Sequence, residues 1–549
     1  MLTAWRTTAL ELKGPFVLTK FRKKGAVQEA PAEAGFWQVS TPTFILLVAL
    51  GSAALYHFPL YRFAVTNLDM SSPGGIWTLL TLFVLVFFTN VLVLSVVSVF
   101  SQWLLKSAAM LMAAINAIAV YFIVVYGVVL DKTMMGNVFN TDFAEASALF
   151  HPMLLVYVAA FGLLPIWLLA RISVRPVSLI KRITTPAVAT GLTLCWLVGA
   201  SWTWLWIDKY AKQVGAMVLP WSPVINGARY LSSNLAPSPR AVLPAGTFAS
   251  SNRKVVVLII GESARAQNFF LYGYRRQTNP RMSLAGVSVI RNASSCATYT
   301  TASLECILSP TTSGDEGKWE VLTTYLQRSG VEVTWRSHNA GEPPMKVLHY
   351  QKLEDVKQTC VGDECNYDGG LLFGLERHIA DSKGLRTLVV LHLTGSHGPA
   401  YNTRYPASFE EYKPVCNSVQ LQQCSQEELI NAYDNSIRYT DHVVGQTIDL
   451  LRRLDIDATL FFIADHGESL GEGRLYLHGT PWLVAPEEQK RIPFIVWNSR
   501  DNIKENTTTK FVDGAFTQAS VFHSVLGAFG MRSPVYKPEL DVLPKVGRP

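Results

Sequence analysis

Apolar residues follow two regimes along this chain. Up to about residue 206 they form long uninterrupted blocks; after about residue 250 they form short runs separated by polar turns and helix-period stretches. A bilayer-spanning helix needs about 20 mostly apolar residues. Five blocks reach that length, roughly Thr41 to Leu60, Trp77 to Val99, Leu104 to Leu130, Pro152 to Ala170, and Pro186 to Ile207. The first follows a polar tail carrying Lys20, Arg22, Lys23 and Lys24, and no small-residue cleavage site comes after it. It reads as a signal anchor rather than a cleaved leader.

The second half changes period. KVVVLII (Lys254–Ile260), TLVVLHL (Thr387–Leu393) and ATLFFIA (Ala458–Ala464) are continuous apolar runs, the mark of strands buried on both faces of a parallel sheet. Between them QEELINAYDNSIRYTDHVVGQTIDLLRRL repeats apolar positions at three and four, as a helix does. An α/β domain with helices on both faces of its sheet is expected. The predicted organisation is a tail over 1–40, a five-helix transmembrane domain over 41–207, a connector over 208–252 and a catalytic domain over 253–549. In the connector, Trp221, Tyr230 and scattered prolines suit a segment lying along a membrane surface, or a solvated linker.

Charge orients the membrane half. Lys106 marks the link after the second block, and Arg171, Arg175, Lys181 and Arg182 mark the link after the fourth. The first link has only Arg62, and the third has Lys132 among Asp131, Asp142 and Glu145. The tail and the even links therefore face the cytoplasm, and five crossings export everything after Ile207. Composition agrees with a mixed chain of 549 residues: 49% hydrophobic, 16% charged, net charge +7, a balance that suits anionic lipid. No nucleic-acid partner is expected, and the chain is expected to be a monomer.

Cysteine usage supports export. Cys195 falls in the fifth block and reads as a packed, inert thiol. The others form close couples, Cys296 with Cys306, Cys360 with Cys365, and Cys416 with Cys424. None has zinc-ribbon C-x-x-C spacing, so disulfides in an oxidising compartment are expected, with nearest-neighbour pairing chosen from the many connectivities available.

Ligands in open α/β sheets collect at the carboxyl ends of strands. Here those ends carry chemistry. The first run leads into Glu262, the second into TGSHGP with His397, the third into Asp465 and His466, and LHGTP adds His478 shortly after. Carboxylates and imidazoles in this mix suit Zn2+, with Mn2+ as the alternative. His338 and His349, away from these ends, read as satisfied polar residues in loops. The run CATYTTASLEC, between Cys296 and Cys306, crowds Thr298, Thr300, Thr301 and Ser303 together. If this loop reaches the same edge, a metal-bound hydroxyl becomes a nucleophile. Spacing alone does not say which hydroxyl acts.

GES after a strand, a cysteine-bounded threonine loop, GSHGP, DHGES and LHGTP, behind five apolar blocks, together resemble the phosphoethanolamine transferases. That family modifies lipopolysaccharide in Gram-negative bacteria and includes the mobilised colistin-resistance enzymes. The resemblance covers nearly the whole chain apart from about 35 N-terminal residues. It implies an inner-membrane protein with a periplasmic domain of alkaline phosphatase/sulfatase-like α/β/α fold. It implies Thr300 as nucleophile, with Thr301 beside it, and Glu262, Thr300, Asp465 and His466 as ligands for one or two zinc ions. His397 and His478 would bind the substrate phosphate or a second zinc. Asn137, Thr141 and Glu145, spaced four apart in the third link, would contact the ethanolamine end. The implied donor is phosphatidylethanolamine, with release of diacylglycerol, and lipid A phosphate is the expected acceptor, giving polymyxin resistance. Core heptose or Kdo, or phosphoglycerol-transferase or phosphodiesterase chemistry on the same fold, are the alternatives. Sulfatase chemistry lacks its C/S-x-P-x-R context, and a non-enzymatic sensor would lack ligands that are all present. Ala297 and Glu305 depart from the family's usual glycine and proline, and the altered stretch around Lys346 puts a substrate role for that lysine in doubt.

Overall fold

Ser40 begins the membrane half by accepting the Thr43 amide on its hydroxyl, at the N-terminus of α1 (Thr41–Tyr56). The first expected span does not stay straight. Pro59 sits in the first turn of α2 (Phe58–Asn67), and the two helices meet at a bend of 55°. Buried His57 brackets that bend: its Nδ1 lies 2.9 Å from the Ser52 carbonyl, and its Nε2 accepts the Leu219 amide at 3.1 Å. The computed structural model describes residues 37–141, 146–147, 149–234, 239–311, 317–500 and 509–546. The tail cations Lys20, Arg22, Lys23 and Lys24, and Glu145, lie outside the described residues.

The membrane half is helical as expected, but the count of five crossings is not confirmed among the described residues. Three helices have the length and composition to cross a bilayer: α3 (Pro73–Phe100), α4 (Gln102–Tyr126) and Pro152–Arg171; the bent pair makes up to four. The fifth expected block is carried by α6 (Leu179–Gly199), which encloses Pro186 and is diluted by Thr184, Thr185, Thr190 and Thr193. The chain then breaks into short turns at Ser201–Thr203 and Trp204–Lys209. Cys195 is likewise not packed: it is exposed on α6, most of whose surface is uncovered by protein.

α5 (Lys132–Asn140), which starts on the Asp131 side chain, lies against the connector. There α7 (Trp221–Asn234) stacks Tyr230 on Phe139 at 5.7 Å and accepts Asn140 Nδ2 on the Tyr230 hydroxyl at 2.7 Å. The connector is thus a docked helix, not a free linker.

The remaining chain builds one eight-stranded sheet. Its strands are β1 (Lys254–Gly261), β2 (Ser288–Ser294), β3 (Glu332–Ser337), β4 (His349–Lys352), β5 (Arg386–His392), β6 (Ala458–Ala464), β7 (Phe494–Asn498) and β8 (Lys510–Thr517). They lie in the order β8-β2-β7-β6-β1-β5-β3-β4. β7 runs antiparallel to both neighbours, and every other pair is parallel. Val255 to Ile260 of β1 are all fully buried, as a central parallel strand covered on both faces must be. α10 (Gln426–Arg453) spans 28 residues and opens on a capping box between Ser425 and Glu428. The disulfides join Cys296–Cys306, Cys360–Cys365 and Cys416–Cys424.

The two halves touch where α4 ends. Gln422, inside the Cys416–Cys424 loop, donates its amide to the Val124 carbonyl at 3.0 Å and also to that of Val125. Tyr126 returns a hydroxyl to the Val419 carbonyl at 3.3 Å. Gly127 ends the helix at φ +71°, where a methyl would lie 3.2 Å from the Arg474 carbonyl oxygen. These contacts set the sheet's carboxyl edge above the membrane helices.

Candidate active site

Adjacent parallel strands β1 and β6 end side by side, Gly261 opposite Ala464, so the next residues, Glu262 and Asp465, emerge together. Ser263 then turns at φ +53° and donates its amide to Asp465 Oδ1 at 3.0 Å. His466 follows at once, with its Nε2 3.2 Å from Glu262 Oε1 and 3.3 Å from Asp465 Oδ2. Its Nδ1 donates to the Gly467 carbonyl at 2.9 Å, which leaves Nε2 as the lone-pair nitrogen facing the carboxyls.

The threonine loop reaches this edge. Helix α8 (Thr300–Ile307) begins at Thr300, whose hydroxyl donates to Glu262 Oε2 at 3.0 Å and lies 3.4 Å from His466 Nε2. Two of the neighbouring hydroxyls are committed elsewhere. Thr298 donates to the Thr480 carbonyl at 2.6 Å, and Ser303 faces the Ala297 carbonyl at 3.4 Å. Cys296–Cys306 ties both ends of this loop, and Gln518 holds the Cys296 amide at 2.8 Å. Glu305, at the position where proline was expected, pairs with Arg240 of the connector, Oε2 to Nη1 at 3.0 Å.

His478 closes the group. Ligand atoms of Glu262, His466 and His478 all lie within 4.8 Å of one another. The His478 ring stands 4.2 Å from that of His466 and 5.6 Å from that of His397. Lys346 is exposed and stands outside this group. His338 pairs with Asp368 at 2.8 Å, as a satisfied polar residue, whereas His349 lies on strand β4 rather than in a loop.

Sequence reasoning passed over three residues that hold these side chains. Buried Glu468 receives His478 Nδ1 at 3.0 Å and the Tyr401 hydroxyl at 2.6 Å. Asn339, just past the end of β3, donates to Glu262 Oε2 at 2.8 Å. Ser263 donates its hydroxyl to Glu262 Oε1 at 2.8 Å. The strand-end rule that finds Glu262 extends to Asn339, and Glu468 stands inside the DHGES motif.

Glu262, Asp465 and His466 are fully buried. Burial opposes charge on Glu262, yet the imidazoles of His466, His397 and His478 hold its carboxyl well below the usual range. Burial and the Glu262 carboxylate push Asp465 well above it. Burial lowers and the Glu262 carboxylate raises His466, with a net upward shift. Two buried carboxyls this close do not both ionise unless a cation joins them. Asp465 Oδ2 is buried and accepts no hydrogen bond among the described residues. An orphan carboxylate oxygen, an imidazole with its free nitrogen turned inward, and a second carboxylate fit a divalent cation of the zinc type.

Beside this cluster opens a cavity of about 430 Å³ between the two halves. Ile118, Phe122, Met135, Leu149 and Leu154 line its apolar side, and His397 and His478 stand at the other. Asn137 and Thr141 also line it, and Thr141 caps α5 with its hydroxyl 2.8 Å from the Asn137 carbonyl. A methyl at Gly479 would lie 2.9 Å from Asn137 Nδ2, so α5 sits directly against the His478 loop.

Comparisons with known proteins point the same way. A family model described as sulfatase matches residues 254–531, and one described as phosphoethanolamine transferase EptA/EptB matches residues 85–235. Phosphoethanolamine transferase EptA of Helicobacter pylori is 37% identical over 508 residues, 91% of this chain and 95% of its own. Phosphatidylethanolamine transferase Mcr-1 of Escherichia coli is 30% identical, with 83% and 89% covered. Among solved structures, the integral membrane protein lipooligosaccharide phosphoethanolamine transferase A from Neisseria meningitidis aligns with a TM-score of 0.83 at 25% identity. That alignment covers 92% of this chain and 99% of that one.

Proposed function

Since this chain belongs to the phosphoethanolamine transferases, enzymes with a membrane domain and a sulfatase-like domain, we propose that Thr300 takes phosphoethanolamine from phosphatidylethanolamine and passes it to lipid A. The observation that carries this reading is the cavity. Its apolar wall is built by the membrane half, and its polar end is His397 and His478, beside Thr300. Lipid tails fit the first and a phosphodiester the second. The names of Mcr-1 and of the Neisseria protein supply the donor class and the acceptor class.

In the first half-reaction the Thr300 oxygen forms a bond to phosphorus as the phosphorus–oxygen bond to diacylglycerol breaks. Glu262, receiving the Thr300 hydroxyl at 3.0 Å, orients that oxygen. His397 and His478 hold the non-bridging phosphate oxygens, and Glu468 fixes the His478 ring. A Zn2+ ion held by Glu262, Thr300, Asp465 and His466 would lower the pKa of the threonine hydroxyl and offset charge on the phosphoryl group. Asn137 and Thr141 meet the ethanolamine end, and Glu145 follows in the same link. In the second half-reaction an oxygen of a lipid A phosphate attacks the same phosphorus and Thr300 leaves. The disulfides support placing the catalytic domain in the periplasm.

Intact-mass spectrometry with peptide mapping tests this reading, after incubation of zinc-loaded protein with phosphatidylethanolamine. A phosphoethanolamine adduct on the Cys296–Cys306 peptide, absent from Thr300→Ala, is expected. An adduct that survives the substitution moves the nucleophile to Thr301, and no adduct overturns the reading. In a polymyxin-sensitive host, expression should lower susceptibility; unchanged susceptibility would count against lipid A.

A further inference from the structure

A second group of potential ligands lies at the far edge of the sheet, well outside the catalytic cluster. β3 and β4 run parallel with Thr334 opposite His349. Glu332 stands two residues before Thr334 and so shares its face. Helix α9 (Leu375–Asp381) brings His378 onto that face, with its Nε2 2.7 Å from the Thr334 hydroxyl. We propose that Glu332, His349 and His378 form a second divalent-metal site, of zinc type, that fastens the edge strand β4 to β3 and α9.

The geometry supports a site rather than a chance meeting. One ligand atom from each residue lies within 4.8 Å of the other two. Glu332 Oε1 is 3.7 Å from His349 Nε2, and the two rings stand 5.1 Å apart at 88°. Zinc bonds of about 2.0–2.2 Å place tetrahedral ligand atoms about 3.3 Å from each other. Side-chain rotation closes that difference, and His349, with 43% of its side chain exposed, has the room.

Two of the three ligands are also oriented by a partner. Ser382 donates to Glu332 Oε2 at 2.8 Å and leaves Oε1 facing His349. Thr334 fixes the plane of the His378 ring. Arg336, on the same face, is engaged by the Leu371 and Phe373 carbonyls at 2.7 and 2.8 Å and by Gln351 at 3.0 Å. Two imidazoles and one carboxylate select zinc over magnesium or calcium, and solvent can complete the coordination. β4 needs the help: it is the last strand of the sheet, paired on one side only.

The full-length protein in detergent, stripped with a chelator and dialysed against Zn2+, is compared with a His349→Ala/His378→Ala variant by elemental mass spectrometry. The variant should hold one zinc fewer per chain while still forming the Thr300 adduct at the wild-type rate. Equal zinc content in both overturns the proposal. If the double variant does not fold, diffraction at the zinc edge from wild-type crystals decides. An anomalous peak among Glu332, His349 and His378 supports the site; a peak at the catalytic cluster alone overturns it.

Discussion

The Glu468→Gln substitution keeps the shape of a buried side chain and removes its charge. Glu468 now takes a hydrogen bond from His478 Nδ1 at 3.0 Å and one from the Tyr401 hydroxyl at 2.6 Å. An amide can accept only one of these on oxygen. Its NH2 group must face either the tyrosine oxygen or Nδ1, and in the second case the imidazole switches tautomer and loses the lone pair on Nε2. A hydrogen bond to a charged group contributes about 1.5–3 kcal/mol, a neutral one about 1 kcal/mol. Losing the charged character of both bonds therefore costs about 1–4 kcal/mol. At about 1.4 kcal/mol per tenfold, single-turnover formation of the Thr300 adduct should slow by about fivefold to several-hundredfold. Tyr401→Phe removes one bond and leaves the imidazole's partner in place, so it should cost less than tenfold. A Glu468→Gln rate within twofold of wild type, in folded protein, would refute the assignment of Glu468 as the residue that positions His478.

Three further outcomes are expected. A methyl at Gly395 would stand 2.8 Å from both the backbone N and O of Glu262, at φ +53°. Gly395→Ala should therefore cost about 2–5 kcal/mol, sum of left-handed strain and overpacking, and lower Tm by at least about 5 °C; an unchanged Tm would contradict the close approach. Buried His523 lies with its Nε2 3.0 Å from the Pro310 carbonyl and its Nδ1 3.2 Å from the Lys537 amide, a pairing that needs the neutral ring. Burial lowers it from 6.5 to about 4, so its stabilising contribution is full above pH 6.5 and is lost as pH falls toward 4, by about 3 kcal/mol. Tm measured against pH should fall less steeply across that window in His523→Gln, and parallel slopes would rule the effect out. Chelation should abolish the Thr300 adduct and zinc should restore it; adduct formation in chelated protein would show that Glu262, Asp465 and His466 need no cation.

Strand ends were the readable part of this chain. β1, β5 and β6 are continuous apolar runs because both their faces are covered, and that pattern survives in the sequence alone. Glu262 and Asp465 could be placed at one edge because both follow strands of a parallel sheet; that those strands are neighbours is seen only in the fold. The choice among the hydroxyls of the threonine loop could not be read there. It depends on the Thr480 carbonyl taking Thr298 and on Glu262 taking Thr300, partners 182 and 38 residues away. Asn339 and Glu468 escaped for a similar reason, since their importance lies in which side chain they touch. In the membrane half, hydropathy found the blocks but did not see the bend at His57, nor how Pro186 and four threonines weaken α6 as a span.

The loop closed by Cys416–Cys424 bears on the order of assembly. An α-helix ends with carbonyls that have no partner in the helix, and at the top of α4 the Gln422 amide donates to two of them. Until Gln422 arrives, those carbonyls must be served by water or lipid. That contact needs both the end of α4 and the closed Cys416–Cys424 loop to be formed first. Docking is then a late event, and the cavity between the halves exists only once it is complete.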